Sequence, residues 1–134
     1  EKKILIGLPD KKKSSYNFQS ENLIELISVI NELPVGESVL SFVLNLIRNL
    51  RPESSKFDFI KKYIKWGPGP RGGQALLRAS KARALIRGNL SPTISDAIAF
   101  AQPTLRHRIS LTFEAKTEDL TTDYLIKKVF DNLN

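Results

Sequence analysis

Apolar residues recur along this chain at intervals of three and four, and prolines and glycines cut the recurrence into short runs. That interval is the period of an amphipathic helix. Ser20 is an N-cap candidate. Leu23, Ile24, Leu26, Ile27 and Ile30 follow it as one stripe, which Pro34 closes. Glu21 lies in the first turn, where a carboxylate favours the positive end of the helix dipole. The stretch 37–50 carries a broader stripe of Val39, Leu40, Phe42, Val43, Leu46, Ile47 and Leu50, ended by Pro52. The stretch 57–66 is shorter, with Phe57, Ile60 and Ile64 on one side and Lys61, Lys62 and Lys65 toward the other.

Trp66 leads into Gly67-Pro68-Gly69-Pro70, which cannot be a helix interior and predicts a shaped loop. Pro70 suits the first position of a helix, where its missing N–H costs nothing. Residues 71–87 are rich in Ala and Leu and read as that helix, with Gly88 as its stop. Thr93 and Asp96 have the spacing of a capping box. A helix is expected over 96–108, kinked or split by Pro103. Only 109–113 alternates apolar and polar residues as a strand does, and a single short strand needs a partner elsewhere. Thr121 or Thr122 caps a last helix over 124–133. The pattern predicts a mainly all-α domain of about five or six helices with at most a short strand near 109–113.

Composition narrows the function more than the fold. The chain has 134 residues, no Cys, no Met and one histidine, His107. Disulfides, Cys-ligated zinc and thiol catalysis are excluded, and His107 has no second histidine to share a metal. No apolar run approaches the ~20 residues that span a bilayer. The chain begins at Glu1, so it is read as a processed protein or a fragment, and the lack of Cys and of a signal peptide fits the cytoplasm. The stretch 54–113 holds only two acids, Asp58 and Asp96, too few for a carboxylate glycosidase or a two-metal nuclease. A GxxxxGK[ST] phosphate loop is also missing.

The net charge is +7, unevenly spread. Residues 54–113 hold 11 Lys and Arg against those two acids, and the remainder 10 against 12. The basic strip 56–108 suits either a nucleic-acid surface, through counterion release, or ordinary solvated helix faces. A helical nucleic-acid-binding or protein-interaction module is therefore the alternative reading. The loop 67–73 carries more information. Its glycines allow close backbone approach, and a helix start beside Arg71 suits an anion such as a phosphate. An ordinary Gly/Pro turn with a solvated arginine fits the same residues.

Trp66-Gly67-Pro68-Gly69-Pro70-Arg71-Gly72-Gly73-Gln74-Ala75-Leu76-Leu77, followed by Ala79 and Lys81-Ala82-Arg83-Ala84-Leu85, resembles the C-terminal lid of MoxR-type AAA+ ATPases. So do Leu105-Arg106-His107-Arg108-Ile109, Phe113-Glu114-Ala115 and Leu120-Thr121-Thr122-Asp123. The resemblance implies that residues 1–19 connect to a missing ATPase core and that 20–134 form the helical lid. It implies that Arg71 is the nucleotide-sensing arginine, reaching the terminal phosphates as arginines do in phosphoryl transfer. It makes Pro70, Arg106, His107 and Arg108 candidate contacts to the nucleotide or to a neighbouring subunit; an arginine at 106 or 108 facing an acidic residue of the core, or a structural hinge at 106–108 before the strand, fits as well. Gly72 and Gly73 depart from the family pattern, in which small non-glycine residues follow the arginine, and weaken the first turn by about 1 kcal/mol each relative to Ala. Pro103 departs from it as well.

The Walker motifs, first sensor and arginine finger belong to the core domain, and none lies in these residues. The resemblance therefore implies ATP and Mg in the intact protein, no tight nucleotide binding by this chain alone, and ATP hydrolysis only with the core. It further implies a homohexameric ring, a chaperone-like role in maturing or inserting metal into protein complexes, and von Willebrand factor A-domain partners. It argues against nucleic acid as a partner.

Overall fold

The computed structural model describes residues 19–133. The connecting segment expected over 1–19 lies, but for its last residue, outside the described residues. Among the described residues there are seven α-helices and one two-stranded sheet. In chain order these are α1 (Ser20–Glu32), α2 (Glu37–Asn49), α3 (Asp58–Tyr63), β1 (Ile64–Trp66), α4 (Pro70–Ile86), α5 (Ile94–Leu105), a 3-10 turn (Arg106–Arg108), β2 (Ser110–Leu111), α6 (Phe113–Thr117) and α7 (Thr122–Asp131). The mainly all-α class read from the periodicity holds.

Local signals set most of the boundaries. Pro70 occupies the start of α4, as its fixed φ and missing N–H favour. Gly88 follows α4 at φ +78°, a conformation that costs any other residue strain. Thr93 and Asp96 form the capping box of α5, each side chain holding the other residue's backbone N–H. Thr121 caps α7 by accepting from the Tyr124 N–H at 3.1 Å. Ser20 instead lies inside α1, whose preceding Gln19 gives no side-chain cap.

Three expectations change. The stretch 57–66 splits into α3 and a strand, because Ile64–Trp66 pairs antiparallel with Ser110–Leu111 and supplies the partner the second strand needs. Phe113 is not strand but opens α6, which Thr112 caps through the Ala115 N–H. Pro103 does not split α5. The helix runs past it for two residues and then tightens into the 3-10 turn, so the proline shortens the expected helix.

The core gathers Val39, Val43, Leu46 and Ile47 of α2 with Leu50, Ile60, Ile64 and Leu76. Ala97, Ala101 and Leu105 of α5 and Leu125, Ile126 and Val129 of α7 complete it. Burying one such Leu or Ile contributes about 1.5–3 kcal/mol. The most extensive helix pairing is α4 on α5. The buried positions of these helices are rich in small residues: Gly72, Ser80 and Ala84 on one side, Ala97 and Ala101 on the other. Small side chains let the two backbones approach closely, and Ser80 stays satisfied by donating to the Leu76 carbonyl at 2.7 Å. α1 packs on α4 but buries none of its own residues, and its stripe of Leu23, Ile24, Leu26, Ile27 and Val29 stays exposed. No single described helix is long and apolar enough to cross a membrane.

Candidate functional site

The loop between β1 and α4 is held by the end of α2. A Cβ on Gly67 would collide with the Leu50 carbonyl oxygen and lie 2.8 Å from the Arg51 Cα, so only glycine fits there. The side chain of Pro68 is fully buried. Arg51 Nε donates to the Pro68 carbonyl at 2.7 Å. The α2 end is itself braced. Ser54 and Ser55 donate to the carbonyls of Arg48 and Asn49 at 2.6 and 2.9 Å, and the Asn49 side chain accepts from the Lys56 N–H at 3.0 Å.

This loop delivers Pro70 and Arg71 to the first turn of α4, and both are exposed. No side chain caps the helix, since Gly69 stands at the N-cap. Arg71 forms no ion pair among the described residues. Gly72 and Gly73, expected to loosen the turn, are both buried, and Gly72 is closely packed. A Cβ on Gly72 would meet Pro68, Leu105 and Arg108 at 3.1, 3.3 and 3.4 Å. The glycine thus admits the aliphatic stem of Arg108 against the first turn and brings the 3-10 turn beside Arg71's helix start. Two exposed arginines without carboxylate partners among the described residues, Arg71 and Arg108, therefore stand at one end of α4. On the α2 side of this helix start lies an open groove between α2 and α4, lined by Leu40, Leu44, Leu77, Arg48, Arg51 and Pro70 and by neither of these two arginines. Cations and an uncapped helix start suit a phosphate, and they do not suit a metal ion.

The other residues of the second signature divide. Arg106 Nη2 pairs with Asp123 at 3.1 Å, and its Nε donates to the Gln102 carbonyl at 3.3 Å. Gln102 in turn donates to the Asp123 backbone carbonyl at 3.0 Å. Arg106 thus ties the end of α5 to the start of α7. His107 is exposed and makes no hydrogen bond to a described residue.

Five of the eleven cations in 56–108 are held in ion pairs: Lys61 with Asp58, Lys62 with Glu118, Arg83 and Arg87 with Asp96, and Arg106 with Asp123. The strip is therefore partly neutralised, and six of its cations form no ion pair among the described residues. The Asp96 carboxylate is fully buried and takes donors from Arg83, Arg87 and Thr93. Burial alone pushes this carboxyl up. The Thr93 backbone and hydroxyl donors and the Arg83 guanidinium outweigh that push and hold it below the ordinary carboxylate range. Arg83, part of the motif that carries the family resemblance, is thus a structural partner late in α4.

The sequence reasoning missed Arg51, which looks like any helix-end arginine until the fold brings Pro68 to it. A weak signal was present, since the Gly-Pro-Gly-Pro loop needs some tertiary anchor.

Known proteins show the same domain. The family model described as the AAA lid domain matches residues 58–129, more than half the chain. The chaperone MoxR1 of Mycobacterium tuberculosis is 24% identical over 113 residues, which cover 84% of this chain and 30% of MoxR1. YeaC of Bacillus subtilis, an uncharacterized protein, is 26% identical over 110 residues, covering 81% of this chain and 32% of YeaC. A crystal structure of a "putative ATPase" from Cytophaga hutchinsonii superposes with a TM-score of 0.79 at 26% identity, covering 85% of this chain and 35% of that one. The chain belongs to the AAA lid domain family, and within it to the MoxR type. It spans about a third of the length of the proteins it matches.

Proposed function

We propose that this domain closes over ATP bound to an AAA+ core and that Arg71 reads the state of the terminal phosphates. The observation that carries the reading is the placement of Arg71. It is exposed in the first turn of a 17-residue helix with no side-chain cap and no carboxylate partner among the described residues. Its loop is anchored to α2, and Arg108 lies alongside. When bound, ATP with Mg supplies the phosphoryl group to be transferred. Arg71 stabilises negative charge on it, and Arg108 adds a second cation. Lid angle then depends on whether the terminal phosphate is present. In the whole protein this coupling would drive a homohexameric, cytoplasmic chaperone-like machine that matures protein complexes or inserts their metal, with von Willebrand factor A-domain partners. The similarity to MoxR1, a chaperone, supports the chaperone part of that reading.

The test is Arg71→Ala in the full-length protein. Turnover of ATP should fall at least tenfold, the effect expected of losing an arginine that stabilises phosphoryl-transfer charge. The melting temperature should stay within about 1 °C of wild type, because an exposed, unpaired arginine contributes little to stability. Wild-type turnover would sink the role.

A further inference from the structure

We propose that Arg51 is the positioning residue that sets the nucleotide-sensing arginine, so that the end of α2 controls where Arg71 points. The proposal rests on the reading of Arg71 given above. Its physical basis is the small number of soft dihedrals between the two arginines' points of action. Arg51 Nε donates to the Pro68 carbonyl at 2.7 Å, at the short end of the range for such bonds. From that carbonyl to Arg71 the chain passes only Gly69 and Pro70. Proline fixes φ at 68 and at 70. Gly69 alone is loose between them, and nothing packs near the place its side chain would take. The start of α4 has no side-chain cap of its own. A tertiary bond therefore supplies the restraint that a local cap supplies to α5, α6 and α7.

The lever end is equally fixed. Gly67 lies against the backbone of Leu50 and Arg51 with no room for a Cβ, so β1 and the α2 end meet in one register. Ser54, Ser55 and Asn49 close the turn after α2 on itself. Arg51 also lines the groove between α2 and α4 together with Arg48 and Pro70. Anything that seats in that groove and shifts the α2 end displaces the Pro68 carbonyl, and Arg71 with it.

Side-chain chemistry provides the test. The amide nitrogen of Gln stands as many bonds from Cα as the Nε of Arg, so Arg51→Gln keeps a donor for Pro68 and removes the charge. Arg51→Met has similar length and no donor. In the full-length protein, kcat, KM for ATP and melting temperature are measured for Arg51→Gln, Arg51→Met, Arg71→Ala and the double variant Arg51→Met/Arg71→Ala. Amide hydrogen exchange is followed in the two Arg51 variants at Gly72, whose N–H donates to the Gly69 carbonyl at 2.9 Å. Arg51→Met should lower kcat about tenfold, since a misplaced catalytic group costs that much or more, and should speed exchange at Gly72. Arg51→Gln should stay within about twofold of wild type in both. The double variant should be no slower than Arg71→Ala, because the two act through one element.

Wild-type turnover in Arg51→Met overturns the proposal. So does an Arg51→Gln as slow as Arg51→Met, which would make the guanidinium charge the active feature. Losses that multiply in the double variant also overturn it. Full turnover in Arg71→Ala removes the sensing role and this coupling with it, and the exchange rates then show separately whether Arg51 holds the loop.

Discussion

Replacing Asp96 by Ala removes the one fully buried carboxylate among the described residues and leaves its donors behind. Three effects add. The capping box of α5 is lost, which costs about 1 kcal/mol. Arg83, whose side chain is 30% exposed, loses the partner that compensates its partial burial. Breaking a fully buried pair costs about 3–5 kcal/mol, and solvent reaching Arg83 and the half-exposed Arg87 reduces that. A vacated pocket between α4 and α5 adds a smaller cavity cost. The total is about 3 kcal/mol. Unfolding entropy of roughly 2.1 cal/mol/K per residue gives about 0.28 kcal/mol/K for a chain of this length, so the melting temperature should fall by about 10 °C. Thermal unfolding followed by circular dichroism at pH 7 measures it.

The pH dependence gives an independent check. The folded Asp96 carboxyl lies below its ordinary value. Its contribution is therefore present in full above the unfolded pKa of about 3.9 and is lost as pH falls through the folded value. The stability gap between wild type and Asp96→Asn should be constant from pH 7 down to about 5 and close on further acidification. A loss under 2 °C for Asp96→Ala, or a gap that widens in acid, would refute this account of the site.

Two further substitutions probe the loop and the first turn of α4. Gly67→Ala should destabilise by about 3 kcal/mol, because its Cβ meets main-chain atoms of Leu50 and Arg51 that have nowhere to go, and urea midpoints would show it. Gly73→Ala should stabilise by about 0.5–1 kcal/mol, since its Cβ would touch Ile47 and Val43 only at 3.4 and 3.8 Å and the unfolded chain loses freedom, which the same urea titration reads.

Residues close in sequence determined what the periodicity and turn chemistry show. Thr93 reaches Asp96, Thr121 reaches Tyr124, Pro70 opens its helix and Gly88 ends the same one, all within four residues of where they act or at a single backbone position. Such contacts form in any fold that keeps the helix, so a linear reading finds them. The motif around Arg71 belongs here too, because its neighbours in the chain are also its neighbours in the first turn.

The tertiary structure decided what joins distant segments. Ile64–Trp66 is too short for a period of two to declare itself, and it becomes a strand because Ser110–Leu111 offers a ladder. Gly72 and Gly73 look like weak helix formers, yet the packing of Pro68, Leu105, Arg108 and Ile47 requires or tolerates their small size. Arg83 and Arg106 look like members of one basic strip, and buried or facing carboxylates divert them into ion pairs. Arg51 and Pro68 stand 17 residues apart, and only the meeting of the α2 end with the Gly-Pro loop makes them a pair. Bonds of that span depend on how helices pack against one another, a cooperative property of the whole domain that no local pattern of side chains encodes.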